Sequence, residues 1–265
     1  MACELHHVAS GPEDGPLLVL LGSLGSDLSM WEPQIGPLSE RLRVVAVDLR
    51  GHGGSPVPEG PCSLEDLGGD VVALLDRLGA ERASICGVSL GAMIAMQVGA
   101  SAPERVERLI LCCASALLGP PEAWAARAAK VRAEGTGAIA AEVVERWFTP
   151  GFAQREPQTV ERMRAMIAAT PAAGYASCCA AIERMDLRER LAAIEAPTLV
   201  VSASEDPATP PPHGRLIAER VPSSRFVEVE HAAHLASFEQ PARINALVIE
   251  HLAALAGEDR KELAS

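Results

Sequence analysis

Short, almost continuously apolar segments recur along this chain and constrain its fold more than any other sequence feature. Residues 17–21 read LLVLL and residues 43–48 read RVVAVD. Runs without polar alternation are typical of strands that are buried on both faces of a sheet. The other predicted strands are residues 83–87, 106–113, 197–203 and 225–229.

Amphipathic segments separate these predicted strands. Residues 63–78 place Leu64 and Leu67 at helical spacing, with Ser63 as the predicted N-cap and Asp66 in the first turn. Strands that alternate with helices predict an α/β fold, with a mostly parallel sheet covered by helices on both faces. The other predicted helices are residues 90–101, 212–220 and 241–256.

The stretch 117–191 breaks the alternation of strands and helices. It is rich in Ala, Arg and Glu, and no convincing strand lies within it. We predict that it forms a helical cap, inserted into a core made of residues 1–116 and 192–265. The last residues, 257–265, are predicted to be a short polar tail.

Length and charge limit the classes of function. The chain has 265 residues, which suits one large domain with an inserted subdomain. Its net charge of −12 makes nucleic acid and anionic membranes poor partners. An anionic substrate would therefore need a cationic group within the binding site itself. The sequence does not predict an oligomeric state, because neither a coiled-coil heptad pattern nor an apolar interface stripe is evident in it.

The seven cysteines indicate a reducing compartment. An odd number without C-x-x-C spacing argues against a disulfide framework or a zinc site. The first residues lack the charged and apolar pattern of a signal peptide, and the apolar runs are too short to span a membrane. We therefore expect reduced thiols in a cytoplasmic protein.

The pentapeptide at residues 87–91 has the pattern G-x-S-x-G, with Ser89 at its centre. It follows a predicted strand and opens a predicted helix, which is the context that this motif requires in the α/β-hydrolase fold. Such a turn exposes the serine as a nucleophile. The alternative interpretation is an ordinary glycine-rich turn between a strand and a helix.

A serine nucleophile needs a base, and in this fold the acid and the base follow the serine in that order. Asp206 comes after the predicted strand 197–203, and His234 comes after the last predicted strand. We predict these two residues as acid and base. Glu205 and His231 are the alternatives, since each lies close to the preferred residue along the chain.

An oxyanion hole needs two backbone N–H groups. Leu90, directly after the predicted nucleophile, is one candidate donor, and Leu24 in the loop 22–26 is the other. His52 either borders the active site or has a structural role in its own loop. The predicted chemistry needs no metal, and no dinucleotide or P-loop pattern suggests a cofactor.

Several motifs resemble those of the 3-oxoadipate enol-lactonases. The resemblance extends over about residues 15–250, with Gly22-Ser23 and the Ala-rich stretch 124–130 as departures. The similar segments are residues 24–31 (LGSDLSMW), 48–53 (DLRGHG), 145–148 (ERWF), 170–182 in the cap, 206–211 (DPATPP) and 233–235 (AHL).

This resemblance implies a small lactone substrate that carries one carboxylate and is formed in bacterial degradation of aromatic compounds. The carboxylate requires a cationic partner, for which Arg132, Arg146 and Arg162 in the predicted cap are candidates. Trp147 and Trp124 are candidate walls of the pocket. The alternatives are solvated helix faces for the arginines and plain core packing for the tryptophans.

Other functions remain open at this point. The same predicted triad serves carboxylesterases, other lactonases, carbon–carbon bond hydrolases and tailoring enzymes of natural-product biosynthesis. A non-catalytic receptor on a hydrolase scaffold is a further alternative. Hydrolases with an aspartate nucleophile are disfavoured, because Ser89 occupies the position of the nucleophile.

Overall fold

The computed structural model, which describes residues 2–57 and 59–253, contains one seven-stranded sheet. The strand order is β1-β3-β2-β4-β5-β6-β7, and all pairs are parallel except β1 with β3. This confirms the predicted α/β fold with a mostly parallel sheet. The strands are β1 (His7–Ser10), β2 (Leu17–Leu21), β3 (Arg43–Val47), β4 (Ala83–Val88), β5 (Val106–Cys112), β6 (Thr198–Ala203) and β7 (Ser224–Val229).

Strand β1 is absent from the sequence-based prediction. It has only four residues, and none of them is fully buried. It pairs antiparallel at the edge of the sheet, and in the part of the chain that the structure describes β3 is its only neighbouring strand. A short edge strand of this kind lacks the continuous apolar run that identified the inner strands.

Helices cover the sheet, and the predicted helices are present as far as the structure describes their residues. Ser63 caps the second helix in a capping box with Asp66. The end of the predicted helix 241–256 and the predicted tail 257–265 lie outside the described residues. The helices of the core are α1 (Glu32–Ser39), α2 (Leu64–Arg77) and α3 (Leu90–Ser101) before the cap segment.

Between β5 and β6 the chain forms only helices within the described residues, over the stretch for which the sequence predicts a cap. They are α4 (Pro121–Glu134), α5 (Gly137–Trp147), α6 (Pro150–Arg155), α7 (Pro157–Ala169) and α8 (Ala172–Arg184), and the core continues with α9 (Pro211–Arg220), α10 (Ala236–Glu239) and α11 (Pro241–Ala253). In the described part of the chain no single helix is long and apolar enough to cross a membrane. The bent pair α7 and α8, at 92°, meets that test together by length and composition.

Helix α8 connects the predicted cap segment to the rest of the fold through hydrogen bonds and close backbone packing. The hydroxyl of Ser177 accepts a 3.0 Å hydrogen bond from the N–H of Cys62, and Arg184 donates to the carbonyl of Cys62 at 2.7 Å. Gly174 packs against backbone, because a Cβ atom there would lie 2.1 Å from the carbonyl oxygen of Gly51. These contacts join α8 to the segment between β3 and α2.

Candidate active site

Ser89 occupies a strained turn between β4 and α3. Its backbone has φ 55° and ψ −116°, a region that non-glycine residues rarely adopt. The N–H of Ser89 donates a 3.0 Å hydrogen bond to the carbonyl of Cys112 on β5, which holds the turn against the sheet. The helix that follows begins at Leu90, so the serine side chain lies at a helix N-terminus.

The two glycines of the G-x-S-x-G motif are required by close packing. A Cβ atom on Gly91 would lie 2.0 Å from the carbonyl oxygen of Leu21, and one on Gly87 would lie 2.3 Å from the carbonyl carbon of Gly91. These neighbours are backbone atoms and cannot rotate away. The motif therefore lets α3 approach the sheet closely enough for the sharp turn at Ser89.

Asp206 and His234 form a buried pair at the same end of the sheet. Nδ1 of His234 lies 2.8 Å from Oδ2 of Asp206, and the hydroxyl of Thr209 donates to the same oxygen at 2.7 Å. The N–H groups of Ala208 and Thr209 donate to Oδ1 at 2.8 and 3.1 Å. Burial raises the pKa of Asp206, but the attraction of His234 and these hydrogen bonds outweigh it and hold the pKa well below its usual range.

The alternative acid and base are exposed to solvent and lie near each other. His231 is exposed, with 89% of its side chain accessible, and its Nδ1 is 3.8 Å from Oε1 of the half-exposed Glu205. His234 and Asp206 are 4% and 0% exposed. The geometry therefore favours Asp206 and His234 over the alternatives.

A cavity of about 230 Å³ lies between helices α4, α5 and α8 and the loops that follow β2, β4, β6 and β7. Pockets for drug-sized ligands measure roughly 300–1,000 Å³, so this one suits a small substrate. It brings together most of the residues that the sequence predicts for the site. They are Leu24, Ser89, Trp124, Arg146, Trp147 and His234.

Two guanidinium groups face this cavity. The predicted Arg146 lies on α5, and Arg127, which the sequence analysis missed, lies on α4. Arg146 contacts the carboxylate of Glu142 at 3.4 Å, and Arg127 contacts it at 3.7 Å. The Cζ atom of Arg127 also lies 5.0 Å from the ring centroid of Trp124. Burial, and then repulsion by Arg127, lower the pKa of Arg146. The two guanidinium groups share the exposed carboxylate of Glu142, so net positive charge remains beside the cavity.

The structure does not bring Arg132 or Arg162 to the cavity. Arg132 is exposed on α4. Arg162 pairs with Glu32 at 2.9 Å, and its Cζ atom lies 5.6 Å from the ring centroid of Phe238. Sequence alone did not separate these residues from Arg146, because the choice depends on which face of each cap helix meets the core.

Hydrogen bonds link the segment around His234 to the predicted cap segment. The N–H of Leu235 donates to the carbonyl of Trp147 at 2.9 Å. The carboxylate of Glu239 accepts from the N–H groups of Thr149 and Ala233, at 2.5 and 3.0 Å. These bonds connect the segment around His234 to the end of α5 and the start of α6.

Within the described residues, one group of side chains has the spacing of potential metal ligands. Donor atoms of Cys113, Asp206 and His234 lie within 4.8 Å of one another, and all three side chains are buried. Asp206 and His234 are already hydrogen-bonded to each other. Burial raises the pKa of the Cys113 thiol well above its usual value. The thiol is therefore a neutral neighbour of the pair.

The fold and this site define a hydrolase of the α/β class. The family model of the alpha/beta hydrolase fold matches residues 16–241. The chain is 39% identical to 3-oxoadipate enol-lactonase 2 of Acinetobacter baylyi, over 91% of this chain and 90% of that protein. It therefore belongs to the alpha/beta hydrolase fold family and, within it, to the 3-oxoadipate enol-lactonase group of carboxylic ester hydrolases.

Solved structures agree with this assignment. The enol-lactonase from Burkholderia xenovorans LB400 has a TM-score of 0.92 and 40% identity, covering 95% of this chain and 97% of that one. A thermophilic esterase from Thermogutta terrifontis has a TM-score of 0.89 and 32% identity, covering 95% and 94%. The similarity thus extends over nearly the whole chain.

Proposed function

We propose that this protein hydrolyses 3-oxoadipate enol-lactone to 3-oxoadipate, with Ser89 as nucleophile, His234 as base and Asp206 as the acid that orients it. The observation that carries the proposal is that Ser89, His234 and two arginines line one small cavity. The similarity to enol-lactonases supports the same substrate.

The acylation step follows from the orientation of His234. Because Nδ1 faces Asp206, Nε2 is left to take the proton of Ser89 as its oxygen attacks the lactone carbonyl. The ring C–O bond then breaks, and the enol oxygen receives that proton. The enol relaxes to a ketone, which makes it a good leaving group. The other end of the opened molecule stays attached to Ser89 as an ester.

Deacylation uses the same residues. His234 takes a proton from water as the water oxygen attacks the ester, and it returns that proton to the oxygen of Ser89. The ionised Asp206 stabilises the imidazolium that forms in each step. The product is 3-oxoadipate, and the free serine is restored.

The N–H groups of Leu24 and Leu90 form the proposed oxyanion hole. Leu90 is the first residue of α3, where an amide has no acceptor within its own helix, and Leu24 lines the cavity. The loss of one such donor costs about 2.7–4 kcal/mol in the activation barrier.

Arg146 and Arg127 are the proposed partners of the substrate carboxylate, with Trp147 and Trp124 as walls. A net charge of −12 repels an anion at a distance, so this local positive charge is needed for binding. In this proposal residues 117–191 act as the cap that completes the pocket. A cytoplasmic location is consistent with the seven cysteines, all of which are free thiols.

The test of this proposal is a comparison of two substrates. We expect kcat/KM for 3-oxoadipate enol-lactone, generated in situ, to exceed that for p-nitrophenyl acetate by at least about 100-fold, which corresponds to about 2.7 kcal/mol of discrimination. Turnover of the simple ester alone would contradict the substrate assignment. It would instead favour a general carboxylesterase, and the similar Thermogutta terrifontis protein is a thermophilic esterase.

A further inference from the structure

The orientation of the Leu24 N–H group depends on two peptide units, one on each side of its Cα atom. The Ser23–Leu24 unit contains the N–H group itself, and the Leu24–Gly25 unit follows it. Each unit has a buried side chain as a hydrogen-bonding partner, one from the same loop and one from the loop that follows β3. Those partners, Ser26 and His52, are 2% and 0% exposed.

Ser26 fixes the first peptide unit. Its hydroxyl and its N–H group both donate to the carbonyl of Ser23, at 2.7 and 3.1 Å. In a trans peptide the C=O and N–H groups point in opposite directions. A carbonyl held toward Ser26 therefore directs the N–H of Leu24 away from Ser26. The thioether of Met30, 2.9 Å from the same hydroxyl, is the weaker acceptor.

His52 fixes the second peptide unit. Its Nε2 lies 3.0 Å from the N–H of Gly25, and its Nδ1 lies 3.0 Å from the carbonyl of Arg50. Only a neutral ring with the proton on Nδ1 satisfies both contacts, because the first needs an acceptor and the second a donor. Burial lowers the pKa of His52, which favours this neutral form.

We propose that Ser26 and His52 are positioning residues that hold the Leu24 N–H group as a rigid donor of the oxyanion hole. This inference rests on the proposed function, in which that group stabilises the tetrahedral intermediate. The hydrogen bonds to the Ser23 carbonyl also polarise its peptide unit, which makes the N–H of Leu24 a stronger donor. Neither side chain needs to touch the substrate.

The test uses Ser26→Ala, with Ser29→Ala as its control, because Ser29 is an exposed serine in the helical turn that directly follows this loop. The substrate is p-nitrophenyl acetate, and the inhibitor is phenylboronic acid, whose tetrahedral adduct with Ser89 places an oxygen in the oxyanion hole. For Ser26→Ala we expect kcat to fall about tenfold or more, because the donor is weakened but not removed. The affinity for phenylboronic acid should fall by a similar factor, with KM within about twofold of wild type and Ser29→Ala unchanged.

Substitutions of His52 provide an independent test. His52→Leu removes the acceptor for the Gly25 N–H, whereas His52→Gln can supply an amide oxygen in its place. We expect His52→Leu to lower kcat and phenylboronic acid affinity together, and His52→Gln to restore both in part. Unchanged kcat in folded Ser26→Ala and His52→Leu, or a rise in KM alone, would overturn the proposal.

Folding of each variant is followed by its thermal unfolding temperature. A lowered Tm with unchanged kcat and inhibitor affinity would show a merely structural role and contradict the proposal. If Ser26→Ala does not fold, the proposal is tested by comparing kcat and phenylboronic acid affinity between His52→Gln and His52→Leu. If neither Ser26→Ala nor His52→Leu folds, Ser26→Cys replaces them, because a thiol is a much weaker donor than a hydroxyl. A parallel fall of kcat and inhibitor affinity in Ser26→Cys would support positioning, and unchanged values of both would contradict it. Absence of wild-type turnover of any ester is a different result, because it would overturn the proposed function itself.

Discussion

The hydroxyl of Thr209 donates a 2.7 Å hydrogen bond to Oδ2 of Asp206, the oxygen that also contacts His234. Thr209→Val removes this donor and the roughly 1.5–3 kcal/mol that a bond to a charged group contributes. We expect kcat to fall at least about tenfold, with KM unchanged, in steady-state assays. Thr209→Ser keeps the hydroxyl and should retain most of the activity. Equal losses in both variants would argue against a role for this bond.

The lowered pKa of Asp206 links its ionisation to stability. Its pKa in the folded protein lies below the unfolded value of about 3.9, so the unfolded state binds more protons between the two values. The stabilisation is therefore present above about pH 4 and is lost as the pH falls further. Urea unfolding should show Asp206→Asn less stable than wild type at neutral pH, with a difference that shrinks below about pH 4. A difference in the free energy of unfolding that does not change with pH would contradict this link between ionisation and stability. The control is Asp14→Asn, because Asp14 is exposed.

Two glycines should respond to alanine substitution with opposite signs. A Cβ atom on Gly91 would lie 2.0 Å from a backbone oxygen, whereas one on Gly69, an exposed position of α2, has nothing within 4 Å. Gly91→Ala should lower the free energy of unfolding by about 3 kcal/mol or more. Gly69→Ala should raise it by about 0.5–1 kcal/mol, because alanine is the better helix former. Denaturant titration measures both, and stabilisation by Gly91→Ala would refute the packing of this turn.

Arg146 and Arg127 should act on substrates that carry a carboxylate and not on neutral esters. Arg146→Met and Arg127→Met each remove a charge-assisted contact worth about 1.5–3 kcal/mol. We expect KM for the enol-lactone to rise about tenfold or more, with little change for p-nitrophenyl acetate. Arg132→Met is the matched control, since Arg132 is exposed on the same helix as Arg127 and does not line the cavity. A similar effect of all three substitutions would exclude a specific anchor.

The inner strands were predictable because they are apolar throughout and therefore buried on both faces. Strand β1 and helix α1 were not. The side chains of β1 are exposed or half-buried, and α1 contains Pro37 in its interior, which is unfavourable in a helix. Both elements are held by their contacts with the rest of the fold and not by their own sequence patterns.

The residues of the site likewise include some that the sequence predicted and some that it did not. Ser89, Asp206 and His234 were found because each follows a predicted strand, and the carboxyl ends of parallel strands meet at one edge of the sheet. Arg127 was missed because α4 has no clear amphipathic pattern, and its inward face is set by packing against α8. The contact of Ser26 with Ser23 lies within one short loop, but no motif marks it in the sequence.

The most direct test of the account is labelling of the proposed nucleophile. Wild type and Ser89→Ala are treated with a p-nitrophenyl phosphonate, and the intact mass is measured by mass spectrometry. We predict that one phosphonyl group adds to the wild type with loss of activity, that peptide mapping locates it on Ser89, and that folded Ser89→Ala is neither labelled nor active. An unlabelled wild type, or equal labelling of the two proteins, would contradict the assignment of Ser89 as nucleophile and favour a non-catalytic receptor or a different reactive residue.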